Sequence, residues 1–238
     1  MTNNLQNRVT TAENFSTDLV HEIRNPLASL KGASEILTDT SDKDQRIRLI
    51  KILKHDVERI ERLITDYSQM LKDDVAITKE KMRKIDLKDV VETVVDDFNA
   101  IYFPKRGIEI KMDINNNKIN KFEINGIENR LEQVLANLLE NSISFSEDNK
   151  NVYVNLKKNK DKTISIIVID EGLGFKEKDT NKIFKRFYSN RPDKFGQHSG
   201  LGLNIVKNLV DLHGGQISAS NNHPKKGAKV EVIFPAIN

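Results

Sequence analysis

His21-Glu22-Ile23-Arg24-Asn25-Pro26-Leu27 is the stretch on which the reading of this chain turns. It places an imidazole, a carboxylate and a carboxamide within little more than one helical turn. On a helix, His21 and Asn25 share a face, with Glu22 one step round. Pro26 has no N–H, so the carbonyl of Glu22 loses its i+4 partner and a bend is expected there. A neutral imidazole is a competent nucleophile near neutral pH. A carboxylate beside it can take the ring proton as the ring nitrogen attacks. Asn25, one turn on, can orient a water. A lone His-Glu pair on a helix is commonly no more than a solvated face. The meaning of this one therefore depends on the rest of the chain.

Working outward, residues 1–10 are polar and read as a frayed end or part of an upstream linker helix. A helix is expected over about 12–37, with Ile23, Leu27, Leu30, Ser34 and Leu37 stepping as a heptad seam. Asp39-Thr40-Ser41-Asp42 reads as a turn, and Ser41-x-x-Asp44 as the cap of the next helix. That helix, over about 42–72, has the clearest period in the chain: Ile50, Leu53, Val57, Ile60, Ile64, Tyr67 and Leu71. Its stripe is narrow and flanked by charge, as a bundle seam is. Two helices bury such stripes poorly, and an antiparallel hairpin that dimerises into a four-helix bundle buries them well. The alternative is a monomeric hairpin folded against a second domain. His55 lies off the seam and needs no function.

Residues 73–85 are charged and aperiodic and read as a linker. Asp86-x-x-Asp89 caps a helix over 87–100 that ends near Pro104 and Gly107. Strands are predicted at 108–114, 121–125, 151–158, 163–170, 215–220 and 228–234, and helices at 127–145 and 201–212. The fold class is thus α+β: a helical hairpin over 1–72, then over 86–238 an α/β sandwich, one mixed sheet with helices on one face.

This second part carries its own constellation. In helix 127–145 the apolar stripe is Leu131, Val134, Leu135, Leu138, Ser142 and Phe145. Asn137 and Asn141 sit together on another face. Asn is a poor helix-interior residue, and a pair of carboxamide oxygens suits a magnesium ion that also binds a triphosphate. Exposed asparagines are the plainer reading. Strand 163–169 ends in Asp170-Glu171-Gly172-Leu173-Gly174. A carboxylate there can accept from an adenine amino group, and the glycines let the backbone turn close to a flat ligand. Ser199-Gly200-Leu201-Gly202-Leu203 opens an amphipathic helix whose free N–H groups make an anion site. Between them lies Phe184-Lys185-Arg186-Phe187, then a polar stretch 188–199 that reads as a lid. Core packing of the two phenylalanines is an equal reading.

The first stretch resembles the phospho-accepting H-box of sensor histidine kinases, with Phe15 and Asp18 at the usual upstream positions. The later motifs, in their order and spacing, are similar to the N, G1, F and G2 boxes of the histidine-kinase catalytic domain. That domain belongs to the ATP-binding superfamily shared with DNA gyrase and the mismatch-repair protein MutL. Together the resemblance covers about residues 12–235. It implies autophosphorylation of His21 from ATP, phosphotransfer to an Asp of a response-regulator receiver domain, and phosphatase activity toward it supported by Glu22 and Asn25. It further implies Asn141 as ligand to Mg²⁺, Asn137 as support for the phosphates and Asp170 as the adenine acceptor. Gly172, Gly174, Gly200 and Gly202 would shape the pocket and the lid hinge, with Leu201 and Leu203 in the helix start. The sequence departs from the family pattern at Ser144, where Lys or Arg is frequent, at Phe145, and at Ser199. A phosphate-contacting cation would then come from the lid, from Arg191 or Lys194.

Composition bounds the rest. At 238 residues two domains are favoured over one. A net charge of +3 is too small to argue for nucleic acid. The absence of cysteine excludes disulfides and Cys-zinc sites and fits a reducing, cytoplasmic compartment. No apolar run approaches the ~20 residues of a membrane helix, so no membrane contact is expected from this chain, and a membrane sensor would lie outside it. His198, His213 and His223 are expected to be uninvolved, with His213 at a helix end and Gly214 as its left-handed cap. Two other functions share parts of the pattern: a gyrase-type ATPase switch that needs no nucleophilic histidine, and a docking scaffold with a degenerate nucleotide site.

Overall fold

Two long helices, α1 (Thr2–Asp39) and α2 (Lys43–Ile77), make the first of two compact units in a computed structural model. The structure describes residues 2–77, 80–114, 121–177, 179–188 and 200–237. α1 runs without a break through Pro26, which is buried. The turn is closed by Asp42, not Ser41. Its Oδ1 accepts from the N–H of Asp44 at 2.9 Å and of Gln45 at 3.5 Å. Asp42 directly precedes the first helical residue, so its short carboxylate reaches the orphan donors of the first turn and Ser41 stands one place too early. Arg46 donates from Nη1 to the carbonyls of Leu37 and Thr40, both at 3.1 Å, and so satisfies the end of α1. Further along, Arg59 Nη2 donates to Glu22 Oε2 at 3.0 Å. These contacts run antiparallel, 46 with 37 and 59 with 22.

The inward face of the hairpin differs by one residue from the expected seam. Pro26 and Ala33 are buried on α1, and Leu49, Asp56 and Leu63 on α2. Leu27 is 51% exposed, and Ile50, Val57 and Ile64 are 46–53% exposed. The sequence has paired neighbours on α2 (Leu49 with Ile50, Leu63 with Ile64), so its apolar surface is wider than one seam. A period of 3.5 alone does not say which neighbour turns inward.

The second unit begins near Ala76. Its first element, β1 (Arg83–Asp86), lies where the sequence suggested linker. It pairs antiparallel with β3 (Glu123–Gly126), Ile85 opposite Ile124. A four-residue strand with one buried side chain has too little period to be read. β1 and β3 form a ribbon of their own, so the main sheet does not include the strand predicted at 121–125. That sheet is β2 (Glu109–Ile114), β4 (Asn151–Lys158), β5 (Thr163–Asp170), β7 (Ala228–Pro235) and β6 (Gln216–Asn221), in that order. β2 and β4 are parallel and the rest antiparallel.

α3 (Leu87–Arg106), α4 (Glu128–Phe145) and α5 (Gly202–Leu212) supply the helical layer. Asp86 caps α3 by accepting from Lys88 N, as the sequence indicates. α3 continues past residue 100 through Pro104 and closes on Gly107, whose φ of 63° is left-handed and whose N–H donates to Phe103. The alternation of β5 turns Ile164, Ile166 and Val168 into the core against Leu135, Leu138 and Val206. Arg130 on α4 is buried and forms a forked pair with Glu80, at 3.1 Å from Nε and 3.0 Å from Nη2. Removing one partner of such a pair leaves a desolvated charge. No described helix is long and apolar enough to cross a membrane.

His213 stands at the end of α5, as expected, with Gly214 left-handed after it, and it is buried. Its Nδ1 donates to the carbonyl of Leu209 at 2.6 Å, and Nε2 accepts from Ile127 N–H at 3.1 Å. This tautomer staples the end of α5 to the start of α4. Burial holds the imidazole below its ordinary value of 6.5. A base with a depressed folded value contributes stability in full above the unfolded value. That stability is lost as pH falls below it toward the folded one. We expect the Ile127 amide to lose hydrogen-exchange protection as pH is lowered through 6.5 and below, after correction for intrinsic exchange. His213→Gln should remove that pH dependence, and an unchanged profile would refute the staple.

Candidate functional site

The two groups of candidate residues lie in different units, and each has its own geometry. On α1, His21 and Asn25 are exposed and Glu22 is half-buried. Arg59 holds Glu22 by Oε2 and leaves Oε1 unengaged among the described residues. The helix therefore offers an accessible imidazole next to a carboxylate whose position is set from α2. Arg59 was missed in the sequence, although a signal existed. Residues 22 and 59 lie at nearly equal distances from the turn at 40–42, which is what an antiparallel register requires.

In the second unit the site grows from the end of β5. Asp170 is 4% exposed. Its Oδ1 accepts from Gly172 N and Ala228 N, both at 2.9 Å. Burial pushes the carboxyl above the usual carboxylate range, and the two amides act against that shift. Oδ2 has no hydrogen bond among the described residues, so it can accept from an amino group. Gly227 must lie against the Asp170 carbonyl, and a side chain there would overlap it. The turn after Asp170 reaches the C-terminal end of α4, where a Cβ on Gly172 would stand 2.8 Å from the Phe145 carbonyl.

α4 turns Leu131, Val134, Leu135, Leu138 and Ser142 into the core and leaves Asn137 and Asn141 half-buried beside them. Asn137 Nδ2 donates to the Gln133 carbonyl at 2.9 Å. Its Oδ1 lies 3.1 Å from where a Cβ on Gly202 would be, so α4 abuts the start of α5. The Asn141 carboxamide makes no hydrogen bond among the described residues and is available to a ligand. Ser144 donates to the Asn141 carbonyl at 2.7 Å and has no cationic role. At α5, Leu201 is fully buried and anchors the cap position, while Gly202 and Leu203 are half-buried. The first N–H groups of α5 have no acceptor within the helix, the arrangement that suits an anion. Gly200 precedes them with φ of 73°.

Of the two phenylalanines, Phe184 is buried, and its carbonyl accepts from Asn204 Nδ2 on α5 at 2.9 Å. Phe187 is half-buried with φ of 58°. Tyr188 follows, its hydroxyl value pushed up to about 12 by burial and by a hydrogen bond to Glu177. Arg191, Lys194 and Ser199 lie outside the described residues. The structure thus sets Gly202 against Asn137 of α4, and Gly172, held by Asp170, against the Phe145 carbonyl at the end of the same helix. The sequence did not point to Ala228, which acts through its backbone, or to Asn221, whose partners are remote in the chain.

Residues 126–238 match the family described as "Histidine kinase-, DNA gyrase B-, and HSP90-like ATPase", and residues 11–75 match the "His Kinase A (phospho-acceptor) domain". The class is therefore a phospho-acceptor hairpin joined to a nucleotide-binding domain of the gyrase type. Sensor protein ChvG of Rhizobium meliloti is 35% identical over 99% of this chain, and ChvG of Agrobacterium fabrum 36% over 99%. This chain spans 42% and 41% of those two proteins. A histidine kinase, ThkA, solved in complex with the response regulator protein TrrA, shares the fold with a TM-score of 0.67 at 21% identity, over 98% of this chain and 64% of that one. Histidine kinase AdeS of Acinetobacter baumannii does so at 0.58 and 22%, over 92% of this chain and 98% of that one. The chain belongs to the sensor histidine kinases.

Asp170→Asn should separate folding from recognition. The amide oxygen can still accept from Gly172 and Ala228, and the buried charge is gone. We expect an unchanged or higher melting temperature. Nucleotide affinity should fall by about 100-fold, because a donor now faces the adenine amino group. Calorimetric titration with ATP checks this, and wild-type affinity in the variant would refute Asp170 as the acceptor.

Proposed function

We propose that this chain transfers the γ-phosphoryl group of ATP to His21 and then to an aspartate of a response-regulator receiver domain. The reading is carried by the presence, in one chain, of an exposed imidazole beside a fixed carboxylate and of a domain with the Asp170, Asn137, Asn141 and α5 arrangement. Residues 1–72 would be the acceptor and dimerisation hairpin, 73–85 the linker and 86–238 the nucleotide domain. Strand β1 refines that division, since it ties residues 83–86 to the nucleotide domain.

Asp170 Oδ2 accepts from the adenine amino group. Asn137 and the N–H groups of α5 hold the phosphates, with Gly200 and Gly202 admitting them closely. Arg191 is assigned to the same phosphates. Asn141 would hold Mg²⁺ through its unengaged carboxamide, a hard oxygen donor suited to an ion that keeps phosphate and water ligands. When bound, that ion neutralises charge on the phosphate oxygens. A ring nitrogen of His21 attacks the γ-phosphorus in line, an N–P bond forms, and the bond to the β,γ-bridging oxygen breaks to release ADP. Glu22, steadied by Arg59, receives the ring proton. The linker must let the nucleotide domain reach His21.

The uncovered apolar row of Ile50, Val57 and Ile64 supports a homodimer, because a hairpin alone leaves it in water. We assign the chemistry to the cytoplasm, where ATP and receiver domains are found. Phosphorylated receiver would be hydrolysed with help from Glu22 and Asn25, with Asn25 placing the water.

Incubation with γ-labelled ATP tests the reading. Wild type should gain acid-labile, base-stable label and His21→Gln none. Label persisting on the variant would falsify the assignment, and ATP hydrolysis with no label on the wild type would favour a gyrase-type switch. Asn25→Ala should keep autophosphorylation within about twofold while phosphatase activity falls about tenfold or more. Equal loss of both activities would refute the division of roles between Glu22 and Asn25.

A further inference from the structure

We propose that Asn221 is a positioning residue that sets the base selectivity of the nucleotide site without touching the base. The inference rests on the reading of Asp170 as the adenine acceptor. Asn221 ends β6, and its carboxamide behaves as an extra peptide unit. Oδ1 accepts from Phe175 N at 2.6 Å, and Nδ2 donates to Phe175 O at 3.0 Å. The residue before, Gly174, is left-handed at φ of 76°, and a Cβ there would stand 2.6 Å from Asn221 Oδ1. Asn221 therefore ties the far end of the turn that starts at Asp170.

The near end is tied to the same place. Asp170 Oδ1 accepts from Ala228 N, and Ala228 is the residue opposite Asn221 in the β6–β7 register. One rung of that hairpin holds both ends of the segment from Asp170 to Phe175. Between them Glu171 is held separately, accepting from Asn151 N and from the Tyr153 hydroxyl. Leu173, at the tip, is 84% exposed and contributes no anchor. The carboxamide of Asn221 thus fixes where the turn passes and how Asp170 Oδ2 is aimed. Adenine offers an amino donor to that oxygen. Guanine presents a carbonyl oxygen in its place, which a carboxylate repels. Discrimination depends on the position of Oδ2, and loosening the far end of the turn should degrade it.

The test is initial-rate labelling of His21 in the full chain with ATP and with GTP. For Asn221→Ala we expect KM for ATP to rise about tenfold with kcat within about twofold, since the phosphate end is held elsewhere. The ratio of kcat/KM for ATP over GTP should shrink by a similar factor. Asn221→Ser, whose short hydroxyl cannot span both groups of Phe175, should move the same quantities in the same direction and serves if the alanine variant folds poorly. Unchanged KM and unchanged selectivity overturn the proposal. So does an equal loss toward both nucleotides that tracks a lowered melting temperature, because that is the mark of a merely structural residue. A wild-type chain that binds no ATP by titration removes the adenine reading and this inference with it. Wild-type binding with unaffected variants removes this inference alone.

Discussion

A desolvated carboxylate held by two backbone amides is the constraint on which the nucleotide domain depends. Asp170 sits at the last position of a central strand, where burial disfavours its charge. Gly172 and Ala228 return part of that loss through Oδ1. The second donor exists only because β5 and β7 pair in one register, Ile169 opposite Lys229. A slip of one residue would turn every side chain of β7 over and withdraw Ala228 from Asp170. The packing of Ile164, Ile166 and Val168 and the geometry of the site are thus set by the same ladder. Gly227 follows from the same demand, since no other residue lets the β6–β7 turn lie against the Asp170 carbonyl.

The hairpin shows a looser version of that logic. His21 is exposed, and an ion pair from Arg59 orients the neighbouring carboxylate of Glu22. Glu22 is 26% exposed in its side chain and Arg59 13%. A partly exposed pair of this kind adds little stability but fixes direction. Asp56 is buried on the same inward face, and its Oδ2 has no hydrogen-bond partner among the described residues. Apolar surface is left over as well, and a second copy of the hairpin is the economical cover for it.

Much of the architecture was legible. Periods of two and of 3.5 to 3.6 residues placed the long helices and the strands of the main sheet, because each is a local consequence of which face is buried. The errors lie where local pattern stops deciding. β1 has one buried residue and exists by virtue of β3. The strand at 123–126 is real but pairs outside the main sheet. On α2 a single hairpin buries Leu49, Asp56 and Leu63 and leaves Ile50, Val57 and Ile64 of the expected seam uncovered, which the period alone does not announce. The cap of α2 moved from Ser41 to Asp42, a choice between adjacent polar residues. His213 does stand at the end of α5, with Gly214 left-handed after it, but its role as a buried staple to Ile127 at the start of α4 depends on a contact across 86 residues.

The sequence by itself determined the chemistry on offer: an imidazole beside a carboxylate, two asparagines one turn apart, an acidic strand end and two glycine-bearing turns. These are patterns of nearby residues, and the geometry of a helix turn or a strand end converts spacing into position. Only the tertiary structure decided what holds those groups in place. Arg59 reaches Glu22 across 37 residues, Asn221 reaches Phe175 across 46, and Ala228 reaches Asp170 across 58. Such contacts depend on strand register and helix pairing, which are settled by the burial of whole faces, and two of the three use backbone groups whose identity no side chain announces.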